Sequence, residues 1–144
     1  MVRALRSVGV RRVALATAYT DDVNARLIDF LQAEDFEISA VKGLSITDII
    51  GVGEVAPDTL TILAEAVFAE SDAAQGVLIS CGGLKTLGIL EALEARLGVP
   101  VISSSPAGFW DAVQLVNVDP LAHGSGQLFR RRSSTAPLSE AANL

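Results

Sequence analysis

Apolar residues return along this chain in two alternating rhythms. Short runs apolar at nearly every position alternate with longer stretches in which apolar positions recur every three or four residues. The first rhythm suits strands covered on both faces, the second helices with one face on a core. "RRVALATA" (11–18), "FEISAVKGL" (36–44), "GVLIS" (76–80) and "VPVIS" (99–103) predict strands. Helices are predicted from Asp21, with Val23, Leu27, Phe30 and Leu31 at helical spacing, and from Pro57 to about Glu70, with Leu60, Leu63, Ala64 and Val67 on one face. Two more are predicted over "LKTLGILEALEARLG" (84–98), ending at Gly98, and from Pro106 to about Val116. Residues 2–8 read as the end of a helix stopped by Gly9, and "SITDIIGVGEV" (45–55) as a loop with a short helical turn. Asp21 and Asp22 suit a helix start, where carboxylates meet unpaired N–H groups.

Strand and helix in strict alternation imply an α/β fold: a four-stranded parallel sheet flanked by helices on both faces. Ligands on such sheets bind beyond the carboxyl ends of the strands. That edge should gather Tyr19, the loop from Gly43 to Val55, Cys81-Gly82-Gly83, and Ser103 to Pro106.

Composition narrows the picture. The chain has 144 residues, enough for one domain with a sizeable core. Half of the residues are hydrophobic and mean hydropathy is +0.44, yet no apolar run approaches the ~18 residues of a membrane helix. The excess implies a well-buried sheet or a surface that wants a partner. A net charge of −6 argues against nucleic acid, and Arg130-Arg131-Arg132 reads as a solvated patch in a polar tail, 130–144, expected to be disordered. The start, "MVRALRSVGVRRVALATA", has basic residues and a small-residue end, but its apolar run Val13–Ala18 falls short of a signal core of ~7–15 residues. It reads as a strand. A single cysteine excludes an internal disulfide and fits a reducing, cytoplasmic compartment.

The candidate chemistry is sparse. Cys81 sits at a strand end before a predicted helix, where backbone N–H groups and a helix dipole favour thiolate, and the following glycines let a ligand approach. A buried structural cysteine fits the position equally. Tyr19, the one tyrosine, ends its strand where its hydroxyl could reach an anion or simply stay wet; Thr17 and Thr20 are weaker donors nearby. "SSSPAGFWDA" (103–112) reads as N-capping hydroxyls with Phe109 and Trp110 as an aromatic anchor. His123 lies in a Gly-rich tail with nothing to orient it, and G-x-S-x-G is absent, which argues against a serine hydrolase. Gly51-Val-Gly53 is no dinucleotide fingerprint, there is no P-loop, and one Cys with one His gives no metal spacing.

"ATAYTDDVN", "LISCGGLKTL", "EARLGVPVISSSPAGFWDAV" and "GQLF" together resemble the arylmalonate decarboxylases, of the aspartate/glutamate racemase superfamily that also holds maleate cis–trans isomerases. The resemblance runs in one register from about Leu5 to Phe129. It implies cofactor-independent loss of one carboxylate from a 2-aryl or alkenyl malonate, then protonation of the enediolate on one face. It also implies roles: Cys81 as proton donor, the Gly82 N–H and the Tyr19 hydroxyl on the retained carboxylate, and Ile49 and Val52 lining the pocket of the departing one. Protonation needs a neutral thiol, against strong acidification of Cys81. Family members have two similar α/β lobes with the site between them. The resemblance here covers one lobe, 1–129, with 1–9 as a hinge-helix remnant. A Thr-Ser pair, and the position where cysteine gives racemase or isomerase chemistry and glycine gives decarboxylase chemistry, belong to the other. The implied partners are a small dicarboxylate substrate and either that lobe or a second copy of this chain. A racemase or isomerase on a small dicarboxylate and a non-catalytic carboxylate-binding lobe are the competing classes.

Overall fold

The structure, a computed structural model, describes residues 1–116 and 125–130. Strand β1 (Arg12–Thr17) is buried at every position after its first. It is flanked by β2 (Glu37–Gly43) on one side and β3 (Gly76–Ser80) on the other, and β4 (Val101–Ser103) follows β3. All three pairings are parallel, in the order β2-β1-β3-β4. The β1–β2 register slips between Val13 and Ala14, and the hydroxyl of the extra residue, Ser39, donates to the Val13 carbonyl at 3.1 Å.

Alternation along the strands divides the core in two. Val13, Leu15, Leu78 and Ile102 face helices α1 (Val2–Ser7), α2 (Asp21–Ala33) and α6 (Ser104–Leu115), meeting Leu5, Leu31 and the fully buried Trp110. Ala14, Ala16, Val77, Ile79 and Val101 face the opposite way, toward Leu60, Ala64 and Val67 of α4 (Pro57–Glu70) and Leu90 and Leu93 of α5 (Leu90–Leu97). Each fully buried Leu, Ile or Val contributes about 1.5–3 kcal/mol of transfer free energy, so the continuous apolar strand runs find their driving force in two covered faces. An Arg3–Asp111 ion pair fastens α1 to α6.

The predicted four-stranded parallel sheet with helices on both faces is the observed one. The loop after β2 contains the expected helical turn, α3 (Ile49–Glu54), capped by Asp48 Oδ1 accepting from the Gly51 N–H at 2.7 Å. Gly98, at φ +71°, ends α5.

Two differences matter. The helix expected over 84–98 begins only at Leu90. Residues before it turn tightly, with N–H to carbonyl bonds from Leu84 to Cys81, Thr86 to Leu84 and Ile89 to Thr86. Leu84 and Thr86 are buried, and the Thr86 hydroxyl pairs with that of Ser103 at 2.6 Å, which holds this segment against β4 instead of a helix. Second, a 3₁₀ helix (Gln127–Arg130), not foreseen, packs Leu128 and Phe129 into the core. Arg130 belongs to it and pairs with Glu91. His123 and the polar tail from Arg131 lie outside the described residues. No helix among the described residues is long and apolar enough to cross a membrane.

Candidate active site

The strand order fixes the place to look. The chain runs outward from β1 to β2, then returns to the other side of β1 for β3, so the connections diverge between the carboxyl ends of β1 and β3. Such a switch point opens a crevice in an open parallel sheet. Thr17, ending β1, is in register with Ser80, ending β3. Tyr19 and Cys81 follow them, one on each lip.

Tyr19 is half-buried, and its Oη accepts from Ser80 Oγ at 3.5 Å. Ser104 Oγ donates to Ser80 Oγ at 3.3 Å and to Met1 Sδ at 3.3 Å. The hydroxyls of Tyr19, Ser80 and Ser104 thus form a chain across the ends of β1, β3 and β4. Behind Tyr19, Thr17 Oγ1 donates to Asn24 Oδ1 at 2.7 Å and accepts from the Tyr19 N–H at 3.2 Å. Thr20 donates to Asp22, which with the exposed helix start holds the Asp22 carboxyl below its usual pKa. Both threonines considered as ligand donors are therefore engaged within the protein.

Cys81 is free and half-buried. Because α5 starts only at Leu90, it does not supply the dipole expected at the thiol. The first turn of α6 meets this loop instead, with Ser105 Oγ donating to the Gly82 carbonyl at 2.8 Å. Gly82 and Gly83 are exposed, and among the described residues neither N–H meets a backbone acceptor. A Cβ on Gly83 would lie 2.8 Å from Val52 Cγ1, so α3 rests directly on the glycine loop. Beside it opens a cavity of about 490 Å³, lined by Leu84, Leu87, Ser105, Pro106, Phe109 and Phe129.

Tyr19, Cys81, Gly82 and Val52 therefore gather around one edge, whereas Ile49, at the start of the same α3, is 91% exposed. The serines of 103–105 do not act as expected. Ser103 occupies the N-cap position of α6 but makes no capping bond, its hydroxyl being committed to Thr86. Of the two aromatic residues, Trp110 alone is the buried anchor; Phe109 is 61% exposed. Sequence reasoning missed Asn24 and Ser80, both buried. The available signal was a polar residue placed where helix and strand patterning called for an apolar one. Among the described residues no group of three or more His, Cys, Asp or Glu could hold a metal ion.

The family model described as arylmalonate decarboxylase matches residues 1–129. The chain is 48% identical over 130 residues to arylmalonate decarboxylase of Bordetella bronchiseptica, covering 90% of this chain and 54% of that protein. It is 29% identical over 135 residues to maleate isomerase of Nocardia farcinica, covering 93% and 53%. A crystal structure of arylmalonate decarboxylase superposes with a TM-score of 0.83 at 48% identity, over 90% of this chain and 57% of that one. A Nocardia farcinica maleate cis–trans isomerase mutant with a covalently bound succinylcysteine intermediate superposes at 0.84 with 26% identity, over 92% and 54%. The chain spans about half the length of the relatives it matches. With the switch-point cysteine, the parallel sheet and the matched residues in agreement, the chain belongs to the arylmalonate decarboxylase family.

Proposed function

We propose that this chain supplies the proton-donating half of a cofactor-independent carboxy-lyase site for 2-aryl or alkenyl malonates. The observation that carries the reading is that Tyr19 and Cys81 follow the paired ends of β1 and β3, Thr17 and Ser80, with a glycine turn on one lip and a hydroxyl on the other. The retained carboxylate is held by the Tyr19 hydroxyl and the Gly82 N–H. The departing carboxylate lies against Val52, with Ile49 closing over it. An apolar wall strips water from that carboxylate, and the C–C bond pair moves into the retained carboxylate as carbon dioxide leaves. Donors aimed at the resulting enediolate stabilise the charge where it develops. The Cys81 S–H proton then passes to the α-carbon on one face, and solvent reprotonates the thiolate.

The site is completed by a further lobe or by a second copy of this chain. Ile49, Ile50, Leu87 and Phe109 give the exposed apolar surface for either. A clean monomer in light scattering at assay concentration would remove the second-copy route. A single thiol required in reduced form suits a cytoplasmic setting.

The test is carbon dioxide release from phenylmalonate, by the chain alone and joined to the remaining half of the Bordetella bronchiseptica relative. Turnover should fall at least about a hundredfold in Cys81→Ser. Unchanged turnover in that variant would take Cys81 out of the mechanism. A second reading draws on the maleate isomerase relatives: isomerisation of maleate at a site to which this chain contributes Cys81. Conversion of maleate with no release of carbon dioxide from phenylmalonate would replace the decarboxylase reading.

A further inference from the structure

We infer that Asn24 is a positioning residue: with Thr17 it holds the Tyr19 turn, to which backbone bonds strap the loop that carries the apolar wall, so that donor and wall keep one spacing. The inference deepens the reading above and rests on it for the identity of the ligand.

Asn24 lies in the first turns of α2 and is only 4% exposed. Its Oδ1 accepts from Thr17 Oγ1 at 2.7 Å, and its Nδ2 donates to the Tyr19 carbonyl at 3.4 Å. Thr17 Oγ1 in turn accepts from the Tyr19 N–H at 3.2 Å. One amide and one hydroxyl therefore grip both backbone groups of Tyr19. The same Tyr19 carbonyl accepts from the Ser45 N–H at 3.2 Å, and the loop is strapped further by Leu44 N–H to Thr17 O at 3.0 Å and Ile46 N–H to Ala18 O at 2.9 Å. Gly43 makes the approach feasible, since a Cβ there would lie 2.6 Å from Asn24 Nδ2. From Ile46 the chain runs directly into α3, whose Val52 rests on Gly83.

The helix does not need the amide. Leucine has similar bulk and higher helix propensity, and would bury without a polar penalty. What the amide adds is directional, namely bonds that fix a turn which tight packing alone would leave free to pivot. A carboxylate donor at that turn is useful only at a set distance from the proton donor and the wall, because misplacement by a fraction of an ångström is costly in a preorganised site.

The chain has a single tyrosine, so 3-fluorotyrosine places one ¹⁹F reporter at Tyr19 and nowhere else. Spectra of the full chain are compared for wild type, Asn24→Leu, Thr17→Val and Thr17→Ser, free and with phenylmalonate, beside the rate at which iodoacetamide alkylates Cys81. The expected result is a shifted or broadened resonance in Asn24→Leu and Thr17→Val, restoration in Thr17→Ser, and an unchanged alkylation rate throughout. Phenylmalonate affinity should fall about tenfold in the first two, the loss of roughly one charge-assisted hydrogen bond's worth of positioning. If Asn24→Leu does not fold, the threonine pair carries the test. A folded Thr17→Val whose resonance and affinity match wild type would overturn the inference, as would equal changes in Thr17→Ser and Thr17→Val. Phenylmalonate that leaves the wild-type resonance unmoved would overturn ligand binding by this lobe without its other half, while the ligand-free spectra still decide the positioning.

Discussion

Glu94 clamps two segments of this fold with one side chain. It sits in α5 with 7% exposure, and each carboxylate oxygen takes one backbone N–H: Oε1 from Val101 at 2.9 Å and Oε2 from Gln127 at 2.7 Å. One side chain thus pins both the entry to β4 and the 3₁₀ helix that closes the core. Gly126 stands so close that a Cβ would come within 3.0 Å of Oε2. Glu94→Ala deletes two charge-assisted bonds worth about 1.5–3 kcal/mol each. The freed Gln127 N–H can reach water and the buried charge is relieved, so the net loss should be about 2–4 kcal/mol. With a urea m-value of ~2 kcal/mol/M, the unfolding midpoint should drop by about 1–2 M at constant m. A midpoint that does not move would refute the clamp. Burial also raises the Glu94 pKa above its ordinary 4.5. A raised acid pKa means that the folded state binds the proton more tightly. The part of its contribution that is linked to this titration, separate from the two hydrogen bonds, is fully present below pH 4.5 and is lost as pH rises through the folded value. The stability gap between wild type and Glu94→Gln should accordingly be widest at acid pH and narrow as pH rises. A gap that widens with pH would contradict the stated cause.

Three further outcomes follow from the same contacts. Gly43→Ala would drive a Cβ onto the Tyr19 carbonyl and the Asn24 amide, and should destabilise by about 1–3 kcal/mol in thermal unfolding. Trp110→Ala should cost about 3–5 kcal/mol in the same assay, whereas Phe109→Ala, one residue away and mostly exposed, should cost less than about 1 kcal/mol; equal losses would show that the burial assignment is wrong. Glu65→Ala removes only the exposed ion pair to Arg96 and should change denaturant stability by no more than about 0.5 kcal/mol.

Local pattern carried the architecture because its signals are local. Continuous apolar runs at 13–16 and 76–79 read as strands buried on both faces, and the intervening helical period demanded crossovers, which make the sheet parallel. Cys81 and Tyr19 were legible as strand-end residues, and the quoted motifs tied them to a family. What each polar side chain does depended on neighbours far away in the chain. Ser103 looked like a helix cap until Thr86 took its hydroxyl, and Leu84 to Ile89 looked helical until that same pair held them against β4. Glu94 looked like one more acidic residue on an amphipathic helix, and only packing set it between two backbone donors. Strand order is the largest such case. Nothing in the sequence period says on which side of β1 the third strand falls, yet that choice sets Tyr19 and Cys81 beyond the ends of neighbouring strands. Periodicity determined the kind of each element and most of its buried face, because burial follows from side-chain spacing along the backbone, although Val23 and Phe30 of α2 stand exposed while Asn24 is buried. Tertiary structure decided which groups meet, because hydrogen bonds between distant residues form only once the chain has closed on itself.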